Sequence, residues 1–570
     1  MKTCTRHHAS LCNRATGALS LLASLTCLVS VACSNGPSSG AAAAGAANVS
    51  SAGSGSAGTP TTSAAGTSGG SVAAGGNGNG NGSGSGSGGI GQSAGTGGIA
   101  AGGQGPGGSP GSAGMSNQVD VVTKTTSSFA FKHYPIETNA SYVWSGSATA
   151  GTQVSTTNYD TVVLENGYLK VTLLPSYGGR ILSIIHKPTG RELLYQNPIG
   201  TPYLMTQDIF YYDYLVIMGG IFPSFPEPEH GKYWNQPYQL QVVSETPEAV
   251  TVRMSRKDDL DLAAGVPSRY DVGRTDMLVE LDVTLRAGRS SVQLDTKLTN
   301  TKNSAVPKFE YWTVTTLAPG STPGQTALPK NTRILAKMDK VHLFVKDWDW
   351  FAKAEEQVSG EVFKWNNLSH FENWVREGTA FASPSYQANW SGLINYDNDT
   401  GILCVSDPVA TPGLKLWTFG RDSVTADVKD SSVWLRPAIE MWHGFTPEFW
   451  NRGTLAAGEV HKSSTSYFPT LGMKEITAAS ENGALFLSSS KSGTDTVLSA
   501  VATLTMPNQT VKAVLRLGSM VVAEKDVVVE AAKATTVEVK LSSGVTSGAN
   551  FSAEFLQGST SLLAGQTTLP

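Results

Sequence analysis

Alternation of apolar and polar residues is the feature that most constrains the fold of this chain. It recurs in segment after segment, for example in Leu169–Leu174, Leu278–Leu285 and Ser291–Leu298. A period of two places successive side chains on opposite faces of a β-strand, so that one face is buried and the other is not. Helical periodicity is confined to the neighbourhoods of 347–354 and 367–376, which can hold short helices. The sequence therefore predicts an all-β protein.

The N-terminus predicts export. Basic residues precede a mostly apolar run from Ala18 to Ala32, which is too short for a typical membrane span. The run ends in Leu28–Cys33, which resembles a bacterial lipoprotein signal that is cleaved before Cys33 and lipidated on its sulfur. We expect residues 1–33 to be this signal with its lipidation site, and the protein to be anchored by lipid to a bacterial membrane in the cell envelope. A secretory signal cleaved near Ala32, which would release the protein, is the alternative.

Residues 34–118 consist almost entirely of Gly, Ser, Ala, Thr and Asn. Such a segment buries too little apolar surface to offset the entropy cost of ordering its backbone, so we expect a disordered linker. The random-coil relation gives about 85 residues of this kind a mean span of roughly 50 Å. The linker would hold a folded head away from the membrane surface.

Charge, motifs and cysteine content exclude several classes of protein. The formal net charge is −4, and no Lys/Arg cluster indicates a nucleic-acid partner. Phosphate loops, zinc-type Cys/His spacings and Gly-x-Ser-x-Gly elbows are missing, so neither a cofactor nor a metal is predicted. Of the five cysteines, Cys404 is the one that follows the signal and its lipidation site. No intrachain disulfide framework is then expected, and the core must stabilise the fold.

One histidine, His230, follows a segment that is unusually rich in glycine and proline. The segment Met218–Gly231 begins with Met-Gly-Gly, contains three prolines and ends in His230-Gly231. Glycine permits tight turns, whereas proline fixes φ and removes an amide donor, so the segment cannot be a helix and makes a poor central strand. We expect a shaped loop that presents His230 to a ligand. A structural histidine in a proline-rich turn is the alternative.

Composition divides the folded part of the chain near Leu471. Every tryptophan lies before this point, and short strands such as Val511–Leu517 and Thr536–Leu541 follow it without tryptophan or histidine. About a hundred residues of this kind are typical of an immunoglobulin-like β-sandwich. We expect residues 472–570 to form such a domain, with a structural or adhesive role, and residues 119–471 to form a larger one.

Three features of the larger domain occur in an informative order. Val163–Ile184 is a strand pair joined through Gly-Gly-Arg180, His230-Gly231 follows its proline-rich approach, and Arg436–Gly444 with Thr454–Glu459 close the domain. This order resembles the galactose mutarotase-like (aldose 1-epimerase-like) superfamily, in a bacterial lipoprotein branch. The resemblance implies a β-supersandwich whose concave face binds a mono- or polysaccharide.

The resemblance also implies roles for individual residues. Glu440 matches the base that removes a proton from the anomeric hydroxyl while an acid protonates the ring oxygen. His230 matches a substrate-binding histidine. The superfamily's second, acidic histidine is missing here, and Tyr311 stands near its place as a possible donor. Further residues are expected to bind substrate, with His443 also an alternative donor: Arg180, Trp312, Trp417, Arg436 and His443.

Three functions remain open at this stage. The first is an isomerase of aldose-epimerase type, with Glu440 as base and His230 or Tyr311 as acid. The second is a polysaccharide lyase or related enzyme, in which Tyr311 and His230 handle the proton and Arg436 neutralises a uronate. The third is a tethered glycan-binding lipoprotein without catalysis. Carbohydrate binding is common to all three, and epimerase-like acid/base chemistry is the main prediction.

Overall fold

The computed structural model describes residues 120–133, 155–198, 218–226, 230–261, 272–343, 357–375, 378–382, 386, 388–422, 436–542 and 545–570. The predicted signal, its lipidation site Cys33 and the linker lie outside these residues. Within these ranges the chain is built of strands, α-helix is absent, and the helices are two 3₁₀ turns at Asn367–Ser369 and Phe371–Asn373. Neither turn has the length or hydropathy to cross a bilayer. The all-β prediction is confirmed.

The described part of the chain contains 31 strands. Up to residue 471 they are β1 (Thr123–His133), β2 (Ser155–Glu165), β3 (Leu169–Leu174), β4 (Arg180–His186), β5 (Arg191–Leu194), β6 (Ile221–Ser224), β7 (Gln239–Glu245), β8 (Ala249–Lys257), β9 (Leu278–Arg286), β10 (Val292–Thr299), β11 (Val306–Phe309), β12 (Trp312–Ser321), β13 (Thr332–Ala336), β14 (Lys340–Leu343), β15 (Gln357–Ser359), β16 (Val362–Lys364), β17 (Gly378–Ala382), β18 (Trp390–Asn395), β19 (Thr400–Ser406), β20 (Gly413–Thr418), β21 (Ile439–Gly444), β22 (Gly453–Leu455) and β23 (Val460–Leu471). Beyond it they are β24 (Ala478–Ser480), β25 (Gly483–Ser492), β26 (Asp495–Leu504), β27 (Gln509–Leu517), β28 (Met520–Val529), β29 (Thr535–Ser542), β30 (Asn550–Gln557) and β31 (Thr560–Thr568).

Two large antiparallel sheets form the part before residue 472. The front sheet has 13 strands, in the order β1-β2-β3-β4-β5-β12-β21-β20-β17-β14-β16-β15, with β6 paired to β12 and β4. The back sheet has eight strands, in the order β13-β18-β19-β23-β10-β9-β8-β7. One hydrophobic core takes side chains from both, among them Val171 and Ile184 of the front sheet and Val283 and Leu294 of the back sheet. This layering is that of a β-supersandwich.

The alternation of apolar and polar residues in the sequence corresponds to an alternation of buried and less buried side chains along the strands. On β10 every second residue is buried and the residues between them are half-buried; the buried ones are Val292, Leu294, Thr296 and Leu298. The central strands β12 and β21 depart from this pattern, because every residue of both is buried. Their inner face packs on the back sheet, and their outer face is covered by other side chains of the front sheet and its loops.

The register of β12 with β21 decides which side chains share a face. Trp312 pairs with Gly444, and Thr316 pairs with Glu440. Cross-strand partners lie on the same side of a sheet, so these residues share one face and their odd-numbered neighbours on β12 share the other. A Cβ added at Gly444 would lie 2.5 Å from the Trp312 ring, so glycine is needed where this indole lies across the neighbouring strand.

The C-terminal strands form a smaller sandwich. Its two four-stranded sheets have the orders β24-β25-β26-β29 and β28-β27-β30-β31, and their inward side chains, such as Leu498 and Phe555, fill a separate core. Met473 and Ile476 pack against Trp390 of the back sheet. Two antiparallel sheets of this size correspond to the predicted immunoglobulin-like sandwich, while the exact division of the chain into domains stays a prediction.

Candidate functional site

The middle of the front sheet carries a dense group of aromatic and charged side chains on its outer face, the face turned away from the back sheet. Trp442 of β21 pairs with Val314 on one side and with Lys415 on the other, and Glu440 pairs with Thr316 and Trp417. The group, called the outer-face cluster below, consists of Phe222, His230, Lys415, Trp417, Glu440, Trp442 and Phe449.

Glu440 is held in a fixed direction by its neighbour on the same face. The indole Nε1 of Trp442 donates a hydrogen bond of 2.9 Å to Oε2 of Glu440. Hydrogen bonds to a carboxylate are stronger than those between neutral groups, so the indole orients the side chain. Glu440 is buried, with 6% of its surface exposed. A carboxylate positioned in this way can act as a general base for a ligand that reaches it.

His230 contacts the same indole from the segment that was expected to be a loop throughout, of which residues 227–229 lie outside the described ranges. That expectation is wrong for Ile221–Ser224, which form β6 and pair with β12 and β4. The backbone is left-handed at His230 (φ 54°) and at Gly231 (φ 76°), and a Cβ at Gly231 would lie 2.2 Å from the amide nitrogen of Phe225. The His230 ring lies 5.1 Å from Trp442 and 6.1 Å from Phe222, between ring centroids. Glu440 and His230 thus both contact Trp442.

The surroundings of His230 keep its ring neutral. Burial, and after it the positive charges of Lys415 and Arg180, lower the pKa of His230 to about 3. Its Nδ1 is buried and has no hydrogen-bond partner among the described residues. A neutral imidazole can still donate a hydrogen bond to a substrate oxygen without carrying charge itself.

Lys415 is a member of the cluster that the sequence patterns did not single out. Its Nζ lies 3.8 Å from the ring centroid of Trp442 and 4.0 Å from that of Phe449, and the residue is 4% exposed. Each such cation–π contact is worth about 0.5–2 kcal/mol, with the larger values in sites shielded from water. The sequence signal that could have indicated Lys415 is its charge, because the rest of the short strand Gly413–Thr418 lacks charged residues.

Trp312 and Trp417, both predicted to stack on a sugar, differ in access. Trp312 is 0% exposed, and Phe449 contacts its ring edge-to-face with 5.2 Å between ring centroids. Trp417 is half-buried, opposite Glu440, and its ring lies 4.2 Å from that of Phe419. Trp417 is therefore the tryptophan of this pair that a ligand can reach.

A second glutamate, two residues before the start of β12, repeats the arrangement of Glu440. Trp312 Nε1 donates to Oε2 of Glu310 at 3.1 Å, as Trp442 does to Glu440. Glu310 is six residues from Thr316, the cross-strand partner of Glu440, and at about 3.3 Å per residue this puts roughly 20 Å between the backbone positions of the two glutamates. Paired glycosidase carboxylates lie about 5–9.5 Å apart, so these two do not form such a pair.

Tyr311 and His443 lie on the inner face, away from Glu440. The Tyr311 hydroxyl lies 3.3 Å from Oγ1 of Thr296 on β10, and His443 Nε2 lies 3.0 Å from Oγ of Ser391 on β18. Burial raises the pKa of Tyr311 and lowers that of His443 to about 4. The backbone of the front sheet separates both groups from the outer-face cluster.

The Arg180 side chain donates hydrogen bonds to backbone carbonyl oxygens. It donates from Nε to the carbonyl oxygen of Tyr177 at 2.8 Å, from Nη1 to that of Gly219 at 2.7 Å and from Nη2 to that of Trp234 at 2.9 Å. Burial lowers its pKa to about 10. These contacts fasten the segment before His230 to the neighbouring strands, and substrate binding by Arg180 stays a prediction.

Arg436 takes part in a further polar group together with Tyr195 and Asn197. Its backbone N–H donates to the hydroxyl of Tyr195 at 3.2 Å, and this hydroxyl donates to Oδ1 of Asn197 at 3.2 Å. Burial raises the pKa of Tyr195, the backbone bond and charge of Arg436 lower it, and the charge of Glu440 raises it. Tyr195, which no sequence pattern indicated, therefore lies within electrostatic reach of Glu440.

The described side chains offer no group of three His, Cys, Asp or Glu residues arranged to hold a metal ion. The site consists instead of one oriented carboxylate, one neutral imidazole, one cation between two rings and one accessible tryptophan. The sequence brought out Glu440, His230 and Trp417, which the structure places together.

Comparison with known families and structures gives a partial match. A family model described as a domain of unknown function (DUF5107) matches residues 136–284. A TPR-domain containing protein from Parabacteroides distasonis is 17% identical with a TM-score of 0.49, over 64% of this chain and 58% of its own. This chain thus spans less than two thirds of that protein.

Galactose mutarotase-like proteins are also similar in structure at low identity. The one from Clostridium acetobutylicum is 12% identical with a TM-score of 0.36, over 55% of this chain and 96% of its own. The one from Lactobacillus casei is 12% identical with a TM-score of 0.34, over 54% of this chain and 99% of its own.

Proposed function

We propose that the outer-face cluster binds a sugar and that Glu440 is the general base of an aldose-epimerase-like reaction. The observation that carries this proposal is that Glu440 and His230 both contact the indole of Trp442, on one face of the sheet. Sugars need ring surfaces for their C–H faces and polar groups for their hydroxyls. Trp417 offers the ring, and Glu440 with His230 offers the polar groups.

In the proposed reaction Glu440 accepts the proton of the anomeric hydroxyl. The bond between the anomeric carbon and the ring oxygen then breaks, the carbonyl forms, and the ring oxygen takes a proton from water. His230 donates a hydrogen bond to this oxygen while negative charge develops on it, a role suited to an imidazole whose pKa is lowered. Lys415 adds positive charge nearby. Closure onto the other face of the carbonyl returns both protons and gives the other anomer.

The lyase alternative lacks comparable support. It needs the Tyr311 hydroxyl to meet the proton beside a uronate, but this hydroxyl contacts Thr296 between the two sheets. Burial also raises the Tyr311 pKa, which makes the phenolate a still rarer base near neutral pH. Glycan binding without catalysis is the remaining alternative, and it is an outcome of the test below.

The test is anomer exchange of free aldoses with the full chain, followed by NMR exchange spectroscopy. Glu440→Gln keeps the shape of the side chain and removes the base, so the rate should fall by roughly two to four orders of magnitude. Glu538→Gln, an exposed glutamate on β29, is the matched control and should leave the rate unchanged. An unchanged rate for Glu440→Gln removes this carboxylate from the mechanism. Sugar binding without exchange supports a receptor.

We also propose that the protein works outside the cytoplasm, attached to a membrane through Cys33. The support is the basic and apolar N-terminal sequence ending in Ala32-Cys33 and the Gly/Ser-rich linker that follows. Cells fed a clickable palmitate analogue should label the chain, and Cys33→Ser should abolish the label whereas Cys27→Ser should not. Labelling that survives Cys33→Ser contradicts the proposed anchor.

A further inference from the structure

The loop between β21 and β22, residues 445–452, lies over the outer-face cluster and is called the capping loop below. It brings the Phe449 ring into contact with side chains of three neighbouring strands. The centroid of this ring lies 5.2 Å from that of Trp312 on β12 and 5.7 Å from that of Trp442 on β21. It also lies 4.0 Å from Nζ of Lys415 on β20. Because one ring contacts three adjacent strands, it must lie across their outer face.

The register extends this cover to a fourth strand. Lys415 pairs with Trp442 on one side and with Phe381 of β17 on the other, so the three side chains lie on the same face. The ring centroids of Phe381 and Phe449 are 6.2 Å apart. Phe449 therefore covers a row of side chains that crosses β21, β20 and β17.

The covered side chains are out of reach of a ligand while Phe449 stays in place. Trp442 is 0% exposed and Lys415 is 4% exposed, although both lie on the outer face. Glu440, whose carboxylate accepts the N–H of Trp442, is also buried. Trp417, by contrast, is half-buried and already accessible. A sugar can contact the indole of Trp442 only after the Phe449 ring has moved away.

Neighbouring residues of one segment hold both ends of the capping loop. Phe445 donates its backbone N–H to the carbonyl oxygen of Tyr311 at 2.9 Å, and Gly453 pairs with Phe309. Phe309 and Tyr311 are two residues apart, so the two ends of the loop lie close together, as in an Ω-loop. A loop of this kind can move as a unit about its two ends while the strands beside it stay in place.

Glu310, which lies between these two anchoring residues, holds the middle of the loop. Its Oε2 accepts a hydrogen bond from the backbone N–H of Trp450 at 3.3 Å and one from the indole of Trp312 at 3.1 Å. Trp450 has a left-handed backbone, with a φ of 69°, which a bulky residue rarely adopts and which stores strain. Strain at Trp450 favours opening of the loop, whereas the bond to Glu310 favours closure.

A sugar ring can replace the contacts that Phe449 makes. Phe449 meets the Trp442 indole edge-to-face, with 83° between the ring planes, and it faces the ammonium group of Lys415. The C–H face of a sugar can stack on the same indole. A sugar hydroxyl oxygen can accept a hydrogen bond from the ammonium group, in place of its cation–π contact with the phenyl ring.

We propose that Phe449 is the gate of the sugar site: the capping loop moves away from Trp442 and Lys415 to admit a sugar, and Glu310 holds it closed. This inference rests on the proposed function, because the sugar site lies beneath the loop, and it adds a residue that controls access. Phe449 and Glu310 act on entry of the ligand and take no part in bond breaking.

The first test needs no ligand. It is hydrogen exchange of the indole N–H groups in D2O, measured by NMR on the full chain labelled with 15N-tryptophan. Opening exposes the N–H of Trp442, whereas Trp374, whose N–H donates to the carbonyl oxygen of Leu368 in the core, stays protected. Trp442 should exchange faster than Trp374 by roughly tenfold or more, at a rate that low urea concentrations leave unchanged. Equal rates, or a Trp442 rate that rises with urea as global unfolding does, overturn the gate.

Variants of the loop and its tie should change this rate selectively. Phe449→Ala should speed exchange of Trp442 by roughly tenfold or more and leave Trp374 unchanged, and Phe449→Leu should act in the same direction more weakly. Glu310→Gln keeps the shape of the side chain but weakens its hydrogen bonds by removing the charge, so it should speed exchange by roughly three- to tenfold. Phe486→Ala, a change at a half-buried phenylalanine on β25, is the matched control. A Trp442 rate that neither Phe449 variant changes overturns the gate.

The second test separates the gate from the proposed function. Binding of galactose, glucose, mannose and xylose is followed by stopped-flow tryptophan fluorescence. Because a site that is open for a small fraction of the time binds in proportion to that fraction, Phe449→Ala should raise the association rate by roughly tenfold. Sugar binding at the same rate in both proteins overturns the gate and leaves the sugar site intact. Opening detected by hydrogen exchange, without binding of any of these sugars, upholds the gate and rejects the proposed function.

Discussion

Trp442 donates its indole N–H to the carboxylate of Glu440 two residues earlier on β21, over 2.9 Å. A spacing of two residues on a strand puts both side chains on one face, so a Glu-x-Trp sequence supplies a carboxylate together with its own positioning donor. The same pattern recurs in Glu310 and Trp312. In the first case the donating indole also contacts a histidine and a lysine, and in the second the carboxylate is wholly buried.

Trp442→Phe should separate the positioning of Glu440 from its chemistry. The variant loses the indole N–H, and a hydrogen bond to a charged group contributes about 1.5–3 kcal/mol to the free energy of unfolding. We expect a stability loss of this size in urea denaturation, together with slower anomer exchange. Trp312→Phe removes the equivalent bond to Glu310 and should cost similar stability with a smaller effect on exchange. Equal effects of both variants on exchange would show that the bond to Glu440 has no special role.

Trp417→Ala and Trp312→Ala should have opposite effects on binding and folding. Trp417 is half-buried and borders the site, so its loss should weaken sugar affinity by roughly tenfold, the value of one good aromatic contact, with little change in melting temperature. Trp312 is 0% exposed, and removing it should destabilise the fold by about 3–5 kcal/mol. Calorimetric titration and thermal unfolding check the pair. Full sugar affinity in Trp417→Ala would remove this ring from the site.

Lys415→Met should raise the pKa of His230. The charge of Lys415 follows burial among the causes that lower this pKa to about 3. Methionine fills a similar volume without charge, so the ring should titrate at a higher pH, which NMR of the imidazole carbon-bound protons measures directly. Lys525→Met, a change at an exposed lysine on β28, is the control and should leave the titration unchanged. A His230 titration that Lys415→Met does not move would contradict the electrostatic link.

Acid should destabilise the protein through its buried histidines. Burial lowers the pKa of His230 to about 3 and those of His186 and His443 to about 4, all below the ordinary value of 6.5. The unfolded chain therefore binds more protons than the folded one between these limits. Their contribution to stability is complete above pH 6.5 and is lost progressively as the pH falls towards 4 and below. Urea midpoints measured from pH 8 to pH 4 check this, and a flat profile would contradict it.

The sequence predicted the fold class because alternation is a strong signal wherever one face of a strand is buried. It could not assign faces in β12 and β21, where both sides are buried and polar residues occur on each. The sequence patterns therefore predict a shared site for Tyr311, His443 and Glu440, although the register places the first two towards the back sheet. The sequence did not predict Lys415, because its position in the cluster depends on contacts with residues far away in sequence. These residues are Trp442 on the neighbouring strand and Phe449 in a loop.

The pairing of Thr316 with Glu440 and of Val314 with Trp442 has a consequence for how this face can change. A strand shifted by one residue exchanges its two sets of side chains. One inserted or deleted residue within β21 would turn Met441 outward and bury Glu440 against the back sheet. The chemistry of the outer face can therefore vary by replacement of single side chains, but the length of its central strand has to stay constant.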